Sequence, residues 1–479
     1  MNRSHALDAL RGYAIMTMIL SATEAFGILP PWMYHAQVPP PDHAFNPHIY
    51  AQEGPRSNFL FDESFYGITW VDLIFPFFLF SMGAAIPLSF RRQMEKGTTR
   101  GQLLWKSIVR WLKLTFFAIF IYHMFPFMMG YKTEALHYVV PLAAFGLLFV
   151  LFMRNPFRLD EKHARMVNAG AYVIAVVWMW LQPYVDGEVF SLQQSDIIIL
   201  ILANTVVTGS VVFLLTADKP VWRIALIPVI MALFLGAKTD GSWQQQLLAF
   251  TPAAWLWQSS YQEYLLVIIP GTLVGDMLWR WLHEPVVQER TADNKAIWTA
   301  LLGFLLIVTN VVTLYNRWLL AGFLLSAVMA TSLIVMLKPV NSEQTYWRRL
   351  AVTAAWLLLI GLLTEPFEGG IRKDDVTMSY LFTTSALAVY GLLFFTILCD
   401  HYHITFISRP LEMTGRSPMV AYVASSMVVI PIVTLAGLWP LFENMAQTPW
   451  WGFARGVILT VPSMAVAMAC SRLKWYWKT

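Results

Sequence analysis

Apolar stretches of about 20 residues follow one another along almost the whole chain, and this feature limits the fold more than any other. A helix needs about 20 mostly apolar residues to cross the hydrocarbon core of a bilayer. Only 13% of the residues are charged, which is about half of the share in a soluble globular protein. The sequence therefore predicts an all-α, polytopic integral membrane bundle with no sizeable soluble domain.

We predict about 14 transmembrane helices, within a range of roughly 12 to 14. The predicted spans are residues 7–29, 70–90, 104–126, 136–153, 166–183, 195–216, 222–237, 262–282, 296–315, 318–336, 348–364, 377–399, 417–438 and 452–470. The distribution of Lys and Arg supports this count, because 26 of the 33 fall on one side if the N-terminus is cytoplasmic. The other seven are Arg56, Lys132, Lys238, Arg317, Arg372, Lys373 and Arg455. Both termini are therefore predicted to be cytoplasmic.

The connection after the first span, residues 30–50, contains three histidines and is predicted to lie on the outer face. They are His35, His43 and His48. A histidine titrates near neutral pH and can act as a base or nucleophile. Asp72 lies at the outer end of the second span, and an acid inside a membrane is a candidate site residue, although it could instead cap its own helix.

Four basic residues on the predicted cytoplasmic side are candidates for binding an anionic ligand. Arg110 and Lys113 lie three residues apart at the start of the third span, and Arg416 precedes the thirteenth span, where a helix N-terminus favours phosphate. Arg11 could face the same ligand, or it could form an ion pair with Asp8 one turn away.

The predicted outer loop "TEPFEGGIRKDD" and the start of the helix after it carry many charged and polar side chains. A mixed-charge rim over a pocket would suit a polar, sugar-like acceptor, although a merely solvated loop is the alternative reading. The candidate substrate-binding residues are Glu365, Glu368, Lys373, Asp374, Ser379 and Tyr380.

Two N-terminal segments, "LDALRG" and "GITWVDLIFPFFLFSMGAAIPLSF", resemble the transmembrane acetyltransferases of the heparan-α-glucosaminide N-acetyltransferase family and their NagX-like, DUF5009-type bacterial relatives. "RKDDVTMSYLFTTS", "MTGRSPMVAYV" and "LKWYWK" follow the order of that family's C-terminal segments. The resemblance implies one polytopic domain over residues 1–479, in a bacterial inner membrane. It has N-terminal catalytic core helices (5–125), expanded middle helices (126–347) and C-terminal core helices (348–479).

The resemblance implies transfer of acetyl from cytoplasmic acetyl-CoA to an amino sugar or glycan on the outer face. The catalytic histidine of that family lies in a "HA" dipeptide, which corresponds here to His35 and Ala36, although a long insertion separates them from Gly67. We expect His35 to act as a base or as acetyl acceptor, with Glu24 or Asp72 orienting its ring. The nucleotide would stay near Arg11, Arg110, Lys113 and Arg416, and a tunnel would carry the thioester across.

Other functions stay open at this level. The main alternative is a transporter for an amino sugar or another small solute, because many-span bundles with helices broken by Gly and Pro are equally typical of transporters. A membrane scaffold without catalytic activity is a third reading. We expect no metal, although His43 and His48 have a spacing that would allow one, and no nucleic-acid partner. Partners are the lipid bilayer, acetyl-CoA and the acceptor, and a homodimer stays open.

Overall fold

The computed structural model describes residues 4–37, 65–153, 155–283 and 291–477, and the regular structure in these ranges is helical. The α-helices are α1 (His5–Thr23), α2 (Ile74–Glu95), α3 (Arg100–His123), α4 (Glu134–Phe152), α5 (Glu161–Leu181), α6 (Ile197–Thr216), α7 (Pro220–Ala237), α8 (Trp243–Ala249), α9 (Leu265–His283), α10 (Asp293–Tyr315), α11 (Leu319–Met336), α12 (Ser342–Thr364), α13 (Met378–Phe395), α14 (Thr405–Arg416), α15 (Pro418–Ala424), α16 (Ile430–Leu435), α17 (Trp439–Met445) and α18 (Pro449–Arg472). 3-10 turns cover Pro31–Met33, Val71–Leu73, Pro126–Met128, Val185–Gly187, Ser259–Tyr264 and Glu365–Glu368, and π-helical turns cover Thr396–His401 and Ser425–Val429.

Twelve helical segments in the described ranges are long and apolar enough to cross a membrane. α1 and α3, of 19 and 24 residues, occupy the other two predicted spans, and their charged residues keep them outside that set. Each helix start in these two has a side-chain cap, since Ser4 accepts from the amide of Leu7 and Thr99 forms a capping box with Gln102. The prediction of an all-α polytopic membrane bundle is confirmed.

The first predicted span, 7–29, is too long at its C-terminal end. α1 ends at Thr23, and Glu24 already has an extended backbone. The chain then turns at Gly27, whose φ is +81°, and reaches Pro30 and Pro31. A left-handed glycine followed by two prolines cannot continue a helix. The apolar stretch therefore extends several residues beyond the end of the helix.

α1 lies at the centre of the bundle and packs against α2, α13, α14 and α18. α2 and α13 are buried over most of their length, whereas α5 and α7 bury little and face outward. Helices α5 and α7 are therefore peripheral, and the N-terminal and C-terminal helices meet around α1.

α1 and α14 touch backbone to backbone through two glycines. A Cβ on Gly12 would lie 1.9 Å from the carbonyl oxygen of Leu411, and one on Gly415 would lie 2.0 Å from the carbonyl oxygen of Asp8. Only glycine permits this approach, which explains the glycines of "LDALRG" and "MTGRSP". The seam fixes α14 against the first two turns of α1.

A buried ion cluster joins α2, α7 and α9. Asp276 accepts from Arg91 Nε at 2.6 Å and from Arg223 at 2.5 Å, and both guanidinium groups lie over the ring of Phe213. Arg223 also donates to the carbonyl oxygen of Thr272 at 3.2 Å. Because charges in the bilayer need partners, this cluster holds the three helices in register.

Candidate functional site

The two ends of the bundle are named here by their candidate residues. The Arg11 end is the end at which α1 begins, and the His35 end is the opposite one. Consecutive spans alternate in direction, so the loop before α2 and the loop between α12 and α13 both lie at the His35 end. Side chains from these two loops form the first part of the site.

His35 and Asp72 form a hydrogen-bonded pair at the His35 end. His35 Nδ1 lies 2.8 Å from Asp72 Oδ1. The aspartate side chain is 2% exposed and the histidine side chain is 23% exposed, so the ring is reachable while its partner is buried. The second ring nitrogen, Nε2, is not part of this contact, and its neighbour is Lys373 Nζ at 3.3 Å.

The second carboxylate oxygen of Asp72 is held by the backbone. Oδ2 accepts from the amide of Thr69 at 2.9 Å and from the amide of Ala36 at 3.1 Å. The backbone carbonyl of Asp72 accepts from the Tyr380 hydroxyl at 2.7 Å. These bonds orient Oδ1 toward His35, while the bond from the Thr69 amide, three residues earlier, is of the kind that also caps a helix start, so both predicted roles of Asp72 are present.

Lys373 brings a positive charge to the same histidine. Its Nζ lies 3.1 Å from His35 Nδ1 and 3.3 Å from Nε2. Gln37 fixes this approach, because its Oε1 accepts from the amides of Lys373 and Asp374 at 3.0 and 2.9 Å, and its Nε2 donates to the carbonyl of Asp374 at 3.2 Å. Sequence reasoning missed Gln37, since only its position two residues after His35 pointed to it.

The remaining predicted acceptor residues stabilise the loop rather than contact His35. Glu365 is buried, pairs with Arg317 and accepts from the amide of Ile371. Glu368 accepts from the amides of Met378 and Ser379, both at 2.8 Å, and so caps α13. Ser379 and Tyr380 are fully buried. Of the six residues predicted for the acceptor, Lys373 is the one in contact with the histidine.

Glu24, the other predicted orienting carboxylate, lies after the end of α1 and faces α18. It is 1% exposed, and neither carboxylate oxygen has a hydrogen-bond partner in the described part of the chain. Its backbone lies against Gly456, where an added Cβ would come within 3.0 Å. The structure therefore gives the orienting contact to Asp72 and leaves Glu24 as a buried carboxyl without a bond.

Three of the four predicted coenzyme-binding residues line one cavity at the Arg11 end. Arg11, Arg110 and Arg416 come from α1, α3 and α14 and enclose about 230 Å³ together with apolar residues that include Phe78 and Met82. Lys113 is partly buried on α3 and is not among the residues that line this cavity. The sequence separation of the three arginines shows that this site exists only in the folded bundle.

Two acids, Asp8 and Glu412, lie beside the three arginines of this cavity, and Glu412 is 3.5 Å from Arg416. Asp8 lies 3.6 Å from Arg11 and 3.7 Å from Arg416, so the predicted helix-end ion pair exists and is shared. Arg11 also donates to the carbonyl oxygens of Gly415 and Ser81. Arg110 Nε is buried and has no hydrogen-bond partner within the described ranges.

A second cavity, of about 450 Å³, adjoins the first and shares Arg416 with it. It is lined by five residues that carry or can carry positive charge, together with Glu412. These five are His5, His403, Arg409, Arg416 and Arg472. Burial would raise the pKa of Glu412, but hydrogen bonds from His5 at 2.7 Å and Ser408 at 2.9 Å outweigh it and lower the pKa below its ordinary value.

Together the two ends can hold an anion on one side and carry out proton transfer on the other. Arg11 donates to the carbonyl of Ser81, which lies nine residues after Asp72, a rise of about 14 Å along a helix. Phe78, which lines the arginine cavity, is six residues after Asp72, or about 9 Å. Within the described ranges no group of three His, Cys, Asp or Glu residues could hold a metal ion, and His43 and His48 lie outside those ranges.

A comparison with protein families gives one match. The family model described as "Domain of unknown function (DUF5009)" matches residues 3–279, which is more than half of the 479 residues. The matched part includes His35, Asp72, Arg11 and Arg110 and ends before Lys373 and Arg416. No curated protein matches the chain. On the strength of the family match, the chain belongs to the DUF5009 family.

Proposed function

We propose that the protein is a transmembrane acetyltransferase that takes acetyl from acetyl-CoA at the Arg11 end and delivers it to an amino sugar or glycan at the His35 end. The observation that carries the proposal is the His35–Asp72 pair, with Lys373 against the ring and with Phe78 of an arginine-lined cavity only six residues, about 9 Å of helical rise, after Asp72. A base at one end and an anion site at the other are what transfer of a small group across a membrane requires.

The arginine cavity suits the phosphates of a coenzyme. Three guanidinium groups converge there, and guanidinium binds phosphate in a bidentate manner. Arg110, whose buried Nε lacks a partner among the described residues, has a donor to offer to a ligand. The adjoining cavity with Arg409 and Arg472 extends the positive surface and has room for a nucleotide.

The apolar side of the arginine cavity suits the pantetheine arm. Phe78, Met82, Leu114 and Leu202 line it, and Phe78 is the one nearest to Asp72 along the chain. A thioester that extends past Phe78 would approach the His35–Asp72 pair while the phosphates stay with the arginines. The nucleotide would then never enter the hydrocarbon region, and only the acetyl group would change sides.

The His35–Asp72 pair would act on the acceptor. With Nδ1–H donated to Asp72, Nε2 accepts the proton of the attacking amine or hydroxyl, and the carboxylate stabilises the imidazolium. The acceptor forms a bond to the thioester carbonyl carbon, the carbon–sulfur bond breaks, and the proton passes from Nε2 to the leaving thiolate. Lys373 Nζ, 3.3 Å from Nε2, would stabilise the negative charge on the carbonyl oxygen. His35 Nε2 could instead accept the acetyl group first and then pass it to the acceptor.

The orientation of the proposal follows from the basic residues. Because most Lys and Arg residues lie at the Arg11 end, that end would face the cytoplasm and both termini would be cytoplasmic. In a bacterium this places the acceptor in the periplasm and the protein in the inner membrane.

The test is release of free CoA thiol by purified protein supplied with acetyl-CoA and glucosamine. We expect acceptor-dependent thiol release by the native protein and a loss of about 10² to 10⁴-fold in His35→Gln. The matched control is His163→Gln, since His163 forms an exposed contact with Asp160 and lies far along the chain from the site. Native turnover in a folded His35→Gln protein would contradict the catalytic role. Binding of glucosamine without thiol release would favour the transporter.

A further inference from the structure

An apolar cavity of about 290 Å³ lies away from both parts of the candidate site, between α3, α5 and two loops. Its walls are apolar except for one hydroxyl. The lining residues are Leu112, Thr115, Phe116, Ile119, Val176, Met179, Phe190, Leu192, Trp255 and Leu256. α3 separates this cavity from the arginine cavity, because the neighbouring residue Leu114 lines the latter.

Thr115 has an unusual state for a threonine in a membrane helix. It is 2% exposed, and its Oγ1 has no hydrogen-bond partner in the described part of the chain. Many threonines of other spans donate to the carbonyl four residues earlier, as Thr205 does to Ile201 and Thr313 to Thr309, both at 2.7 Å, whereas Thr383 in α13 shares the state of Thr115. A buried hydroxyl that forgoes this bond is destabilising unless something in the cavity supplies the partner.

Two further polar groups without partners lie one helical turn from the lining residues. Trp111 precedes Thr115 by four residues, and Tyr172 precedes Val176 by four residues and contacts Phe116 at 4.9 Å between ring centroids. The Trp111 Nε1 and Tyr172 hydroxyl groups are buried and have no hydrogen-bond partner in the described ranges. Of these groups Thr115 lines the cavity, so an occupant that pairs with it would be mostly apolar and would carry a hydrogen-bonding oxygen.

The mouth of the cavity is continuous with the surface that faces lipid. Leu112, Val176 and Leu192 line the cavity and are 47%, 45% and 42% exposed. α5 continues outward with Val173 and Trp180, which are more exposed still. Since α5 is one of the membrane-spanning helices, the mouth opens into the bilayer, and a lipid chain is what can enter from there.

We propose that this cavity binds one acyl chain of a bilayer glycerophospholipid, with a lipid ester oxygen accepting a hydrogen bond from Thr115 Oγ1. The proposal is independent of the acetyltransferase activity. The occupant lies against the face of α3 opposite to Leu114, so it would act as a structural lipid that supports the wall of the arginine cavity.

The experiment uses the full chain in nanodiscs that contain a phospholipid with a diazirine in its acyl chain. After irradiation, peptide mass spectrometry should find adducts concentrated on Thr115–Ile119 and Val176–Met179, relative to the lipid-facing α11 residues Leu320 and Val328. Ile119→Trp, which fills the cavity, and Thr115→Val should each lower these adducts several-fold. Thr205→Val is the matched control, because its hydroxyl is satisfied by its own helix, and it should change nothing.

Three results would overturn the proposal. One is an adduct density at the cavity equal to that on α11, which would show ordinary annular lipid. Another is unchanged labelling in both Thr115→Val and Ile119→Trp, with folding checked by thermal unfolding. The third is displacement of the phospholipid by added polyprenyl phosphate, which would assign the cavity to an isoprenoid chain instead.

Discussion

Asp72 uses each of its two carboxylate oxygens for a different purpose. Oδ1 contacts the histidine ring, and Oδ2 is fixed by two backbone amides from residues 36 and 69. A glutamate would place the oxygens one bond further out, and an asparagine would present an NH₂ group to either the ring or the amides. The arrangement therefore requires an aspartate at this position.

We expect Asp72→Asn to lower acceptor-dependent thiol release by about 10² to 10⁴-fold, because the imidazolium would lose its counter-charge and the ring its orientation. The measurement is kcat/KM for acetyl-CoA. The control is Asp375→Asn, which removes an exposed carboxylate that pairs with Arg372. Equal turnover in Asp72→Asn and the native protein would show that the pair has no role in transfer.

Glu24 and Glu365 make a matched comparison of two buried carboxylates. Glu24 has no hydrogen bond in the described ranges, whereas Glu365 pairs with Arg317 and Ile371. Because an unsatisfied buried carboxylate costs stability, we expect Glu24→Gln to raise the thermal unfolding midpoint and Glu365→Gln to lower it. A fall in the midpoint for Glu24→Gln would contradict this expectation.

At the scale of elements, the seam between α1 and α14 sets the position of Arg416 relative to Arg11. A methyl group on Gly12 would collide with the carbonyl of Leu411. We expect Gly12→Ala to force the helices apart, to destabilise the protein by about 1–3 kcal/mol and to weaken coenzyme binding. Thermal unfolding and isothermal titration with CoA measure the two effects.

Gly146→Ala is the matched control for this seam. Gly146 lies within α4, and a Cβ there would meet nothing within 4 Å. Alanine is the better helix former, so this variant should be as stable as the native protein or more so, with unchanged CoA binding. Equal stability and equal CoA affinity in Gly12→Ala and Gly146→Ala would show that the position of α14 against α1 does not affect either property.

α14 is also attached to α1 by Glu412, and this contact depends on pH. The pKa of Glu412 is lowered in the folded protein, so its stabilising contribution is fully present above the ordinary value of 4.5 and is lost as the pH falls through the folded pKa. We expect the difference in unfolding midpoint between native protein and Glu412→Gln to be largest near neutral pH and to vanish in acid below pH 4.5. Glu95→Gln, at an exposed position, should show a small difference at every pH.

At the scale of the whole molecule, the number and order of spans follow from apolar length and from the distribution of Lys and Arg. Both signals are local, so a single sequence is enough for them. The sequence predicts less directly that Arg11, Arg110 and Arg416 lie together. The alternating direction of the helices assigns all three to the same end of the bundle, but it does not show which helices are neighbours. The resemblance in the N-terminal and C-terminal segments pointed to that neighbourhood.

Other parts of the site could not be predicted. Gln37 holds the loop that carries Lys373, across a separation of 336 residues. No local pattern marks such a contact. The same holds for the Arg91–Asp276–Arg223 cluster, whose members come from three different helices. The sequence predicts that the loop at residues 364–375 forms a rim of binding residues, whereas most charged side chains of this loop stabilise the loop itself.

The proposed orientation can be checked with single cysteines and a membrane-impermeant maleimide on intact cells, because the native Cys399 and Cys470 are buried. Lys132→Cys, at the His35 end, should label from outside, and Lys96→Cys, at the Arg11 end, should label only after permeabilisation. The reverse pattern would place the acceptor in the cytoplasm and would exclude a periplasmic glycan.

The backbone contact at Gly12 and Gly415 also limits how the molecule can work. A transporter that works by rocking must separate its helices first on one side of the membrane and then on the other. Here the main chains of α1 and α14 already touch, with no side chain between them that could move aside. Helices joined in this manner favour a bundle that stays fixed while the pantetheine arm of the coenzyme extends into it. Only the two-carbon acetyl group would then cross, and the bundle would not need to open for a larger molecule.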